Sequence, residues 1–132
     1  MSREIKFRYV FKRKTDGHIY IIEFNVEALE DKSVSQIKTM LRNDLWKLVA
    51  RDQFTGLKDK NELELYADDI IDITRYEETT RHQIIWKEGG WQLNPPGPFP
   101  TQYLGCFKSA IIEKKGNIYE NKNLLRRFIL LR

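Results

Sequence analysis

The acidic residues from Asp68 to Glu78 have the side-chain type and the close spacing that acid–base catalysis or metal binding would need. Asp68 and Asp69 are adjacent, and Asp72 and the pair Glu77-Glu78 follow closely. Paired carboxylates can act as general acid and base or bind a divalent cation. Neighbouring residues of a strand point to opposite faces, so Asp68 and Asp69 cannot bind one ligand together. We therefore expect structural roles, such as a turn capped by Asp69, with an enzyme or metal site as the alternative.

The other reactive side chains are few and isolated. His18 and His82 are far apart, and Cys106 is the only cysteine, which we expect to be a small buried hydrophobe. No His or Cys recurs at metal-ligand spacing, and the glycine-rich phosphate loops and the Gly-x-Ser-x-Gly nucleophile motif are absent. The sequence therefore predicts no catalytic residue, no metal ligand, no cofactor and no small-molecule substrate. It indicates a protein that is not an enzyme.

A basic strand is the first candidate binding site. Asp16-Gly17 is a favoured dipeptide for a two-residue type I′ turn, and with that loop Phe11 pairs with Ile22 on an apolar face. The opposite face then carries Lys6, Arg8, Lys12 and Lys14. Such a face could bind phosphates, with Tyr20 or Trp91 stacking on bases. Nucleic-acid binding is thus the alternative function, and lysines that merely solvate a sheet are the simpler interpretation.

The C-terminal stretch is the second candidate. A helix capped by Asn121 would carry more apolar side chains than one small core can bury, among them Phe128, Ile129, Leu130 and Leu131. They either fill a groove on their own chain or join a neighbouring chain, and both alternatives remain open. Large exposed apolar patches usually mark interfaces, and closed homo-oligomers commonly result. We therefore predict self-association through Phe128, Ile129 and Leu131.

Composition limits the remaining classes. The 132 residues carry a net charge of +4 from 23 basic and 19 acidic side chains, which favours solubility more than it argues for nucleic acid. No run approaches the ~20 apolar residues of a membrane helix, and the N-terminus does not resemble a signal peptide. One cysteine fits a reducing compartment. We expect a cytoplasmic protein without a membrane partner.

The segments that position these residues are mostly short strands. We expect an α+β, β-rich fold. Residues 1–45 are predicted to form a hairpin and a short helix over Ser33–Arg42, capped by Ser33 or Ser35. Residues 46–132 are predicted to form a five-strand, SH3-like antiparallel barrel with a closing C-terminal helix, packed with the first lobe as one compact unit.

Further local predictions follow from the apolar patterns and from turn residues. Trp46, Leu48, Ala50 and Phe54 should point to one side of a strand, and Leu65–Tyr76 should form one strand. Residues 26–30 should form a helical turn. Tyr103–Glu113 should be a strand, followed by a turn at Lys114-Lys115-Gly116-Asn117 and a short strand at Ile118-Tyr119-Glu120. Glu77-Glu78-Thr79-Thr80 and Glu88-Gly89-Gly90 should be turns.

One stretch carries a family resemblance. Residues 53–61, Gln53-Phe54-Thr55-Gly56-Leu57-Lys58-Asp59-Lys60-Asn61, read as strand and tight loop, and Glu64-Leu65-Tyr66 and Asp69-Ile70-Ile71 follow. Together with residues 3–8 and 116–121, and with Leu124-Leu125, this pattern resembles the YopX family of small bacteriophage and prophage proteins. The resemblance implies an accessory protein of a phage or prophage in a bacterial host.

The sequence departs from the family pattern at three positions. Glu62 and Asp68 stand where the family usually has glycine, and Lys115 precedes Gly116. Glycine is the residue that adopts positive φ most easily. We therefore do not expect a left-handed backbone to be required at Glu62 or Asp68. The loop between the two strands should serve geometry and not reactivity.

Overall fold

The protein is β-rich and divides into two compact units. The computed structural model describes residues 5–25, 32–121 and 123–124. The first unit comprises Met1–Gly56 and the second Leu57–Arg132. In the first unit, β3 (Trp46–Lys58) pairs with β1 (Lys6–Arg13). None of the helices in the described ranges has the length and apolar content that crossing a membrane requires.

The first unit is an antiparallel sheet with one helix. Strand β1 lies between β2 (Ile19–Asn25) and β3. Helix α1 (Lys32–Leu41) packs against the sheet, and its Ile37 joins Phe11 and Ile22 in a buried core. The predicted helix at Ser33–Arg42 is thus confirmed within one residue at each end. It already includes Ser33 and Ser35, so neither precedes the first turn as a cap would.

The first hairpin is shifted by two residues from the predicted register. Phe11 pairs with Tyr20, and not with Ile22. The loop covers residues 14–17, closed by the Arg13 N–H donating to the His18 carbonyl (2.8 Å). Asp16 explains the longer loop, because its carboxylate accepts from the Arg13 guanidinium (2.9 and 2.7 Å) and the His18 N–H (3.1 Å).

A β-bulge divides β3 into two differently facing halves. Val10 pairs with Ala50, whereas the next residue, Phe11, pairs with Leu48. Val49 is therefore the extra residue of the bulge, and side chains before and after it alternate out of phase. Trp46 and Leu48 lie on the α1 side, and Ala50 and Phe54 on the other. The prediction that all four share a face was wrong.

The second unit contains a four-stranded antiparallel sheet. Its order is β7 (Gly90–Asn94), β6 (Glu78–Lys87), β5 (Asp69–Arg75), β8 (Ile112–Asn117), and the short β4 (Glu64–Tyr66) precedes β5 in the chain. The core is built from aliphatic side chains of these strands and of the 3₁₀ turn at Leu104–Cys106: Leu65, Ile71, Ile73, Ile84, Leu93, Leu104 and Ile112. This sheet does not close, so the predicted SH3-like barrel is not found.

Several predicted boundaries in the second unit were wrong. The predicted strand Leu65–Tyr76 is broken at Asp68, whose φ is 66°. Two 3₁₀ turns, Leu104–Cys106 and Ser109–Ile111, replace the predicted strand from Tyr103. The predicted turn Lys114–Asn117 belongs to β8, where Ile70 pairs with Gly116 and Ile71 with Lys114, leaving Lys115 as a bulge. Residues 118–120 form a turn and not a strand.

Other expectations have mixed outcomes. The predicted turn around Glu88-Gly89-Gly90 is confirmed, because β6 and β7 pair up to Lys87 and Gly90. The predicted helical turn at 26–30 lies outside the described residues, as does the closing helix beyond residue 124. Cys106 is exposed and not buried as expected.

The β5–β6 hairpin has a turn made of two residues with positive φ. Arg75 pairs with Glu78, so Tyr76 and Glu77 are the loop, at φ 53° and 65°. This is the backbone of a type I′ turn, for which Asn-Gly is the preferred sequence. Tyr76 is 88% exposed, and the Arg75 guanidinium lies 5.4 Å from its ring centre. The loop therefore stores strain that its side chains relieve only weakly.

Replacing this loop should stabilise the protein. We expect Tyr76→Asn combined with Glu77→Gly to raise the free energy of unfolding by about 1 kcal/mol, because left-handed backbone is far less costly for Asn and Gly. Urea unfolding followed by tryptophan fluorescence measures the change. The exposed Thr79→Ser variant is a control for substitution in the hairpin, and a double variant no more stable than the wild type would contradict the assignment.

Candidate functional site

Asp59, in the stretch that carries the family resemblance, is a buried structural carboxylate. It is 2% exposed and follows the last residue of β3. One oxygen accepts from the backbone N–H groups of Asn61 (2.8 Å) and Leu63 (2.9 Å), and the other accepts from Lys114 N–H (2.9 Å). Its own N–H donates to the Leu63 carbonyl (2.9 Å). The carboxylate thus closes its own turn and attaches it to β8.

Asp68 and Asp69 have separate sets of partners. Asp69 is fully buried and accepts from the Tyr66 N–H (2.8 Å), with Lys114 Nζ at 3.2 Å. Asp68 accepts from the side chains of Gln83 (2.7 Å) and Tyr119 (3.1 Å). The expected turn-capping role of Asp69 agrees with its bond to the Tyr66 amide.

The remaining acids of this stretch also lack a common centre. Asp72 on β5 forms a bidentate ion pair with Arg81 on β6, in which the two carboxylate oxygens accept from the guanidinium at 2.7 and 2.9 Å. This contact raises the pKa of the Arg81 guanidinium. Glu77 and Glu78 are exposed at the hairpin turn. Within the described ranges, no group of three or more His, Cys, Asp or Glu side chains could hold a metal ion.

Two other ion pairs and a histidine support the same sheet. Ion pairs with Lys115 and Lys60 lower the pKa of Glu113 from 4.5 to about 2.

His82 is 1% exposed, with Nδ1 2.6 Å from the Pro95 carbonyl and Nε2 2.7 Å from Thr80 Oγ1. A carbonyl can only accept, so Nδ1 carries a proton and donates it. His82 therefore holds the proline loop to β6.

The basic strand does not form one exposed face. Arg8 is 3% exposed, and its Nε lies 3.1 Å from the buried Asp52 carboxylate. Lys6 is partly buried, with its Nζ 5.7 Å from the centre of the Phe54 ring. Lys12 and Lys14 are exposed. The four predicted residues are thus split into an inner pair and an outer pair.

A different cationic pair lies at the exposed end. Lys12 on β1 is directly opposite Lys47 on β3, and both side chains are exposed. Like charges placed directly opposite each other destabilise an antiparallel sheet. Sequence reasoning missed Lys47 because the β1–β3 register, and with it the bulge, was not predicted. Lys14 lies next to this end, where its N–H donates to the Leu45 carbonyl (2.8 Å).

The described part of the first unit also contains an apolar groove that the sequence did not predict. It has a volume of about 360 Å³ and lies between α1 and the sheet. The rings of Tyr20 and Trp46 are 6.0 Å apart, and the Arg13 guanidinium lies 5.5 Å from the Trp46 ring centre. The lining side chains are Tyr20, Ser35, Gln36, Thr39, Met40 and Trp46. In the sequence, only the large aromatic residues Tyr20 and Trp46, both near strand ends, could have indicated this groove.

The other predicted binding residues have different positions. Trp91 is partly buried against the core of the second unit, and its ring lies 4.8 Å from that of Trp86. A smaller fraction of its side chain is exposed than that of Tyr20, which is 40% exposed. The predicted self-association residues Phe128, Ile129 and Leu131 lie outside the described residues.

The comparisons with known proteins now identify the family. The model of the YopX protein family matches residues 6–126. The chain belongs to the YopX family. The match confirms the resemblance inferred from the loop after β3 and covers both units of this YopX protein. No curated protein matches the sequence.

Among solved structures, a crystal structure of a bacterial protein is similar to this YopX protein. It is the crystal structure of protein EF1440 from Enterococcus faecalis, with 21% identity and a TM-score of 0.45. The match covers 89% of this chain and 74% of that chain. At this level it carries no inference about function.

The two positions at which the family usually has glycine are nevertheless left-handed. Glu62 has φ 63° and Asp68 has φ 66°. The expectation that no left-handed backbone is required there was wrong. At Asp68 the side-chain bonds to Gln83 and Tyr119 offset the strain. Glu62 is exposed, and its N–H donates to the Asp59 carbonyl (3.0 Å), which fixes the turn through the backbone.

Glycine substitutions at Glu62 and Asp68 should differ in their effect on the free energy of unfolding. Glu62→Gly should leave the free energy of unfolding unchanged or raise it by less than about 1 kcal/mol, because relief of positive φ is offset by glycine's greater unfolded entropy. Asp68→Gly should lower it by about 1–2 kcal/mol, because two side-chain hydrogen bonds are lost. Urea unfolding compares the two. Equal effects of the two substitutions would contradict the structural role of the Asp68 carboxylate.

Proposed function

We propose that this YopX protein is a phage or prophage accessory protein that acts by binding another macromolecule in the cytoplasm of the bacterial host, and not by catalysis. The arrangement of Asp59, Asp69 and Asp72 supports this proposal best. Each carboxylate is engaged by backbone amides or by a cation of its own. A general acid or base must instead be within hydrogen-bond reach of a substrate proton. No cofactor or small-molecule substrate is part of the proposal.

Self-association is part of the proposed function. The sequence from Asn121 to Arg132 contains Phe128, Ile129 and Leu131 among other apolar residues, more than a short segment can bury in a small core. An apolar surface that a second copy covers would explain this composition, and copies related by symmetry form closed assemblies. The homo-oligomer is therefore the form of the protein in which we expect it to act.

This proposal predicts a concentration-dependent assembly. In sedimentation velocity the wild type should form a dimer or larger species, and Phe128→Glu with Ile129→Glu should shift it to monomer, because charged side chains are costly to bury. Lys122→Glu makes the same change in net charge in the same segment, outside the apolar set, and is the matched control. A wild type that remains monomeric at high concentration would refute self-association.

Nucleic-acid binding is the second candidate function. The facing Lys12 and Lys47 favour it, because a bound phosphate would relieve the repulsion between two exposed ammonium groups. Lys14, close to the same end of the sheet, adds a third cation. Lys6 and Arg8, which the sequence also indicated, have ring or carboxylate contacts within the sheet and contribute less in this proposal.

The second candidate predicts a site-specific loss of binding. A mobility-shift assay at low salt should detect binding to DNA or RNA, and Lys12→Glu with Lys47→Glu should abolish it by removing the phosphate contacts. Lys87→Glu with Lys58→Glu makes the same charge change at exposed lysines elsewhere and should retain more of the binding. Equal losses in the two double variants would mean that net charge, and not this site, determines binding.

A further inference from the structure

The apolar groove of the first unit opens beside a polar hollow. The hollow has a volume of about 560 Å³ and is lined by Lys38, Thr39, Arg42, Asn43, Asp44 and Leu45. Thr39 lines both depressions, so they are neighbours on one surface. One side offers two aromatic rings, and the other offers two exposed cations. This is the combination of flat apolar surface and positive charge that a nucleotide unit requires.

We propose that the groove holds a base of single-stranded nucleic acid against Tyr20 and Trp46, and that the hollow holds an adjoining phosphate near Lys38 and Arg42. This inference rests on the second candidate function and specifies the form of nucleic acid and the site. A base inside a duplex is stacked and paired, so its flat face cannot reach a groove of this kind. The site therefore selects single strands.

The two aromatic rings are tilted by 55° to each other, so a base can stack face to face on one ring while its edge contacts the other. Tyr20 is 40% exposed, and Trp46 is held in place by the Arg13 guanidinium on its ring and by the His18 ring at 6.4 Å. A ring fixed by such contacts loses little freedom when a base stacks on it. Gln36 and Ser35 on the helix supply polar groups that can hydrogen-bond the edge of a base.

Charge favours a nucleic acid over the other occupant that the chain itself suggests. Lys38 and Arg42 outnumber Asp44 among the charged side chains of the hollow. The apolar C-terminal segment of a second copy carries Lys122, Arg126, Arg127 and Arg132 and no aspartate, so its approach would bring like charges together. An anionic strand has the complementary sign. Asp44 is expected to weaken phosphate binding without reversing it.

The test is binding of labelled oligonucleotides to the full chain, followed by fluorescence anisotropy at low salt. The probes are an oligothymidylate of about ten nucleotides, within the known range of site sizes, an abasic strand of equal length, and a duplex. The wild type should prefer the base-bearing single strand. Tyr20→Ser should weaken this binding about tenfold, as loss of one stacked base does.

Two matched pairs of variants locate the site. Thr39→Glu places a carboxylate on the shared wall and should weaken binding more than Thr39→Gln, which has the same size without the charge. Gln53→Glu adds an equal charge at an exposed position further along β3 and should leave binding nearly unchanged. Lys38→Gln should lower the slope of log affinity against log salt by about 0.7, the value for one single-strand phosphate contact. Circular dichroism checks that each variant is folded.

The outcomes separate this inference from the candidate function on which it rests. Equal binding of the abasic and base-bearing strands, or wild-type binding by Tyr20→Ser and Thr39→Glu, would overturn the groove. If Lys12→Glu with Lys47→Glu then removed binding, nucleic-acid binding would stand and the groove would not. No binding of any strand by the wild type would overturn both. A change of sedimentation and not of oligonucleotide affinity in Thr39→Glu would assign the groove to a second copy.

Discussion

The second unit depends on one carboxylate that binds backbone amides from two parts of the chain. Asp59 accepts from Asn61 and Leu63 in its own turn and from Lys114 on β8. The adjacent Lys60 N–H donates to the Ile112 carbonyl (2.9 Å) on the same strand. Hydrogen bonds to an ionised, buried acceptor are stronger than neutral ones, and leaving such a group unsatisfied is costly. The turn and the last strand are therefore held as one structure.

Asp68 and Asp69, which the sequence offered as candidates for a catalytic pair, likewise bind groups that fix the fold. Asp69 binds the Tyr66 amide and Lys114, and Asp68 binds Gln83 and Tyr119. Asp68 also breaks the predicted strand, because its left-handed backbone turns the chain between β4 and β5. The acidic residues of this YopX protein thus determine where strands end and which of them are joined. The surfaces proposed for binding lie instead on the first unit, around Trp46 and at the facing Lys12 and Lys47.

Sequence reasoning succeeded where local patterns determine structure. The helix near Ser33–Arg42 and the turn at Glu88-Gly89 were predicted from apolar spacing and glycine chemistry, and the loop after β3 led to the YopX family. It failed where a contact between residues far apart in the sequence determines the local structure. The bulge at Val49 depends on the pairing of β3 with β1, and burial of Arg8 depends on Asp52 lying opposite it. The groove was missed because α1 and Trp46 meet only in the folded unit.

The left-handed residues have a related explanation. Positive φ at Tyr76, Glu77, Glu62 and Asp68 could not be read from residue type, because glycine is the usual signal and is missing at all four. Hydrogen bonding in the turn imposes the conformation despite its local cost.

The most direct test of a structural role for these acids is the stability of Asp59→Asn. An amide can accept on one oxygen only and turns a donor toward one of the three N–H groups, so the free energy of unfolding should fall by about 2–3 kcal/mol. The exposed Asp44→Asn is the matched control and should change it little. Hydrogen exchange should also show faster exchange at Leu63 and Lys114. An Asp59→Asn protein as stable as the wild type, with both amides still protected, would contradict the structural role of this carboxylate.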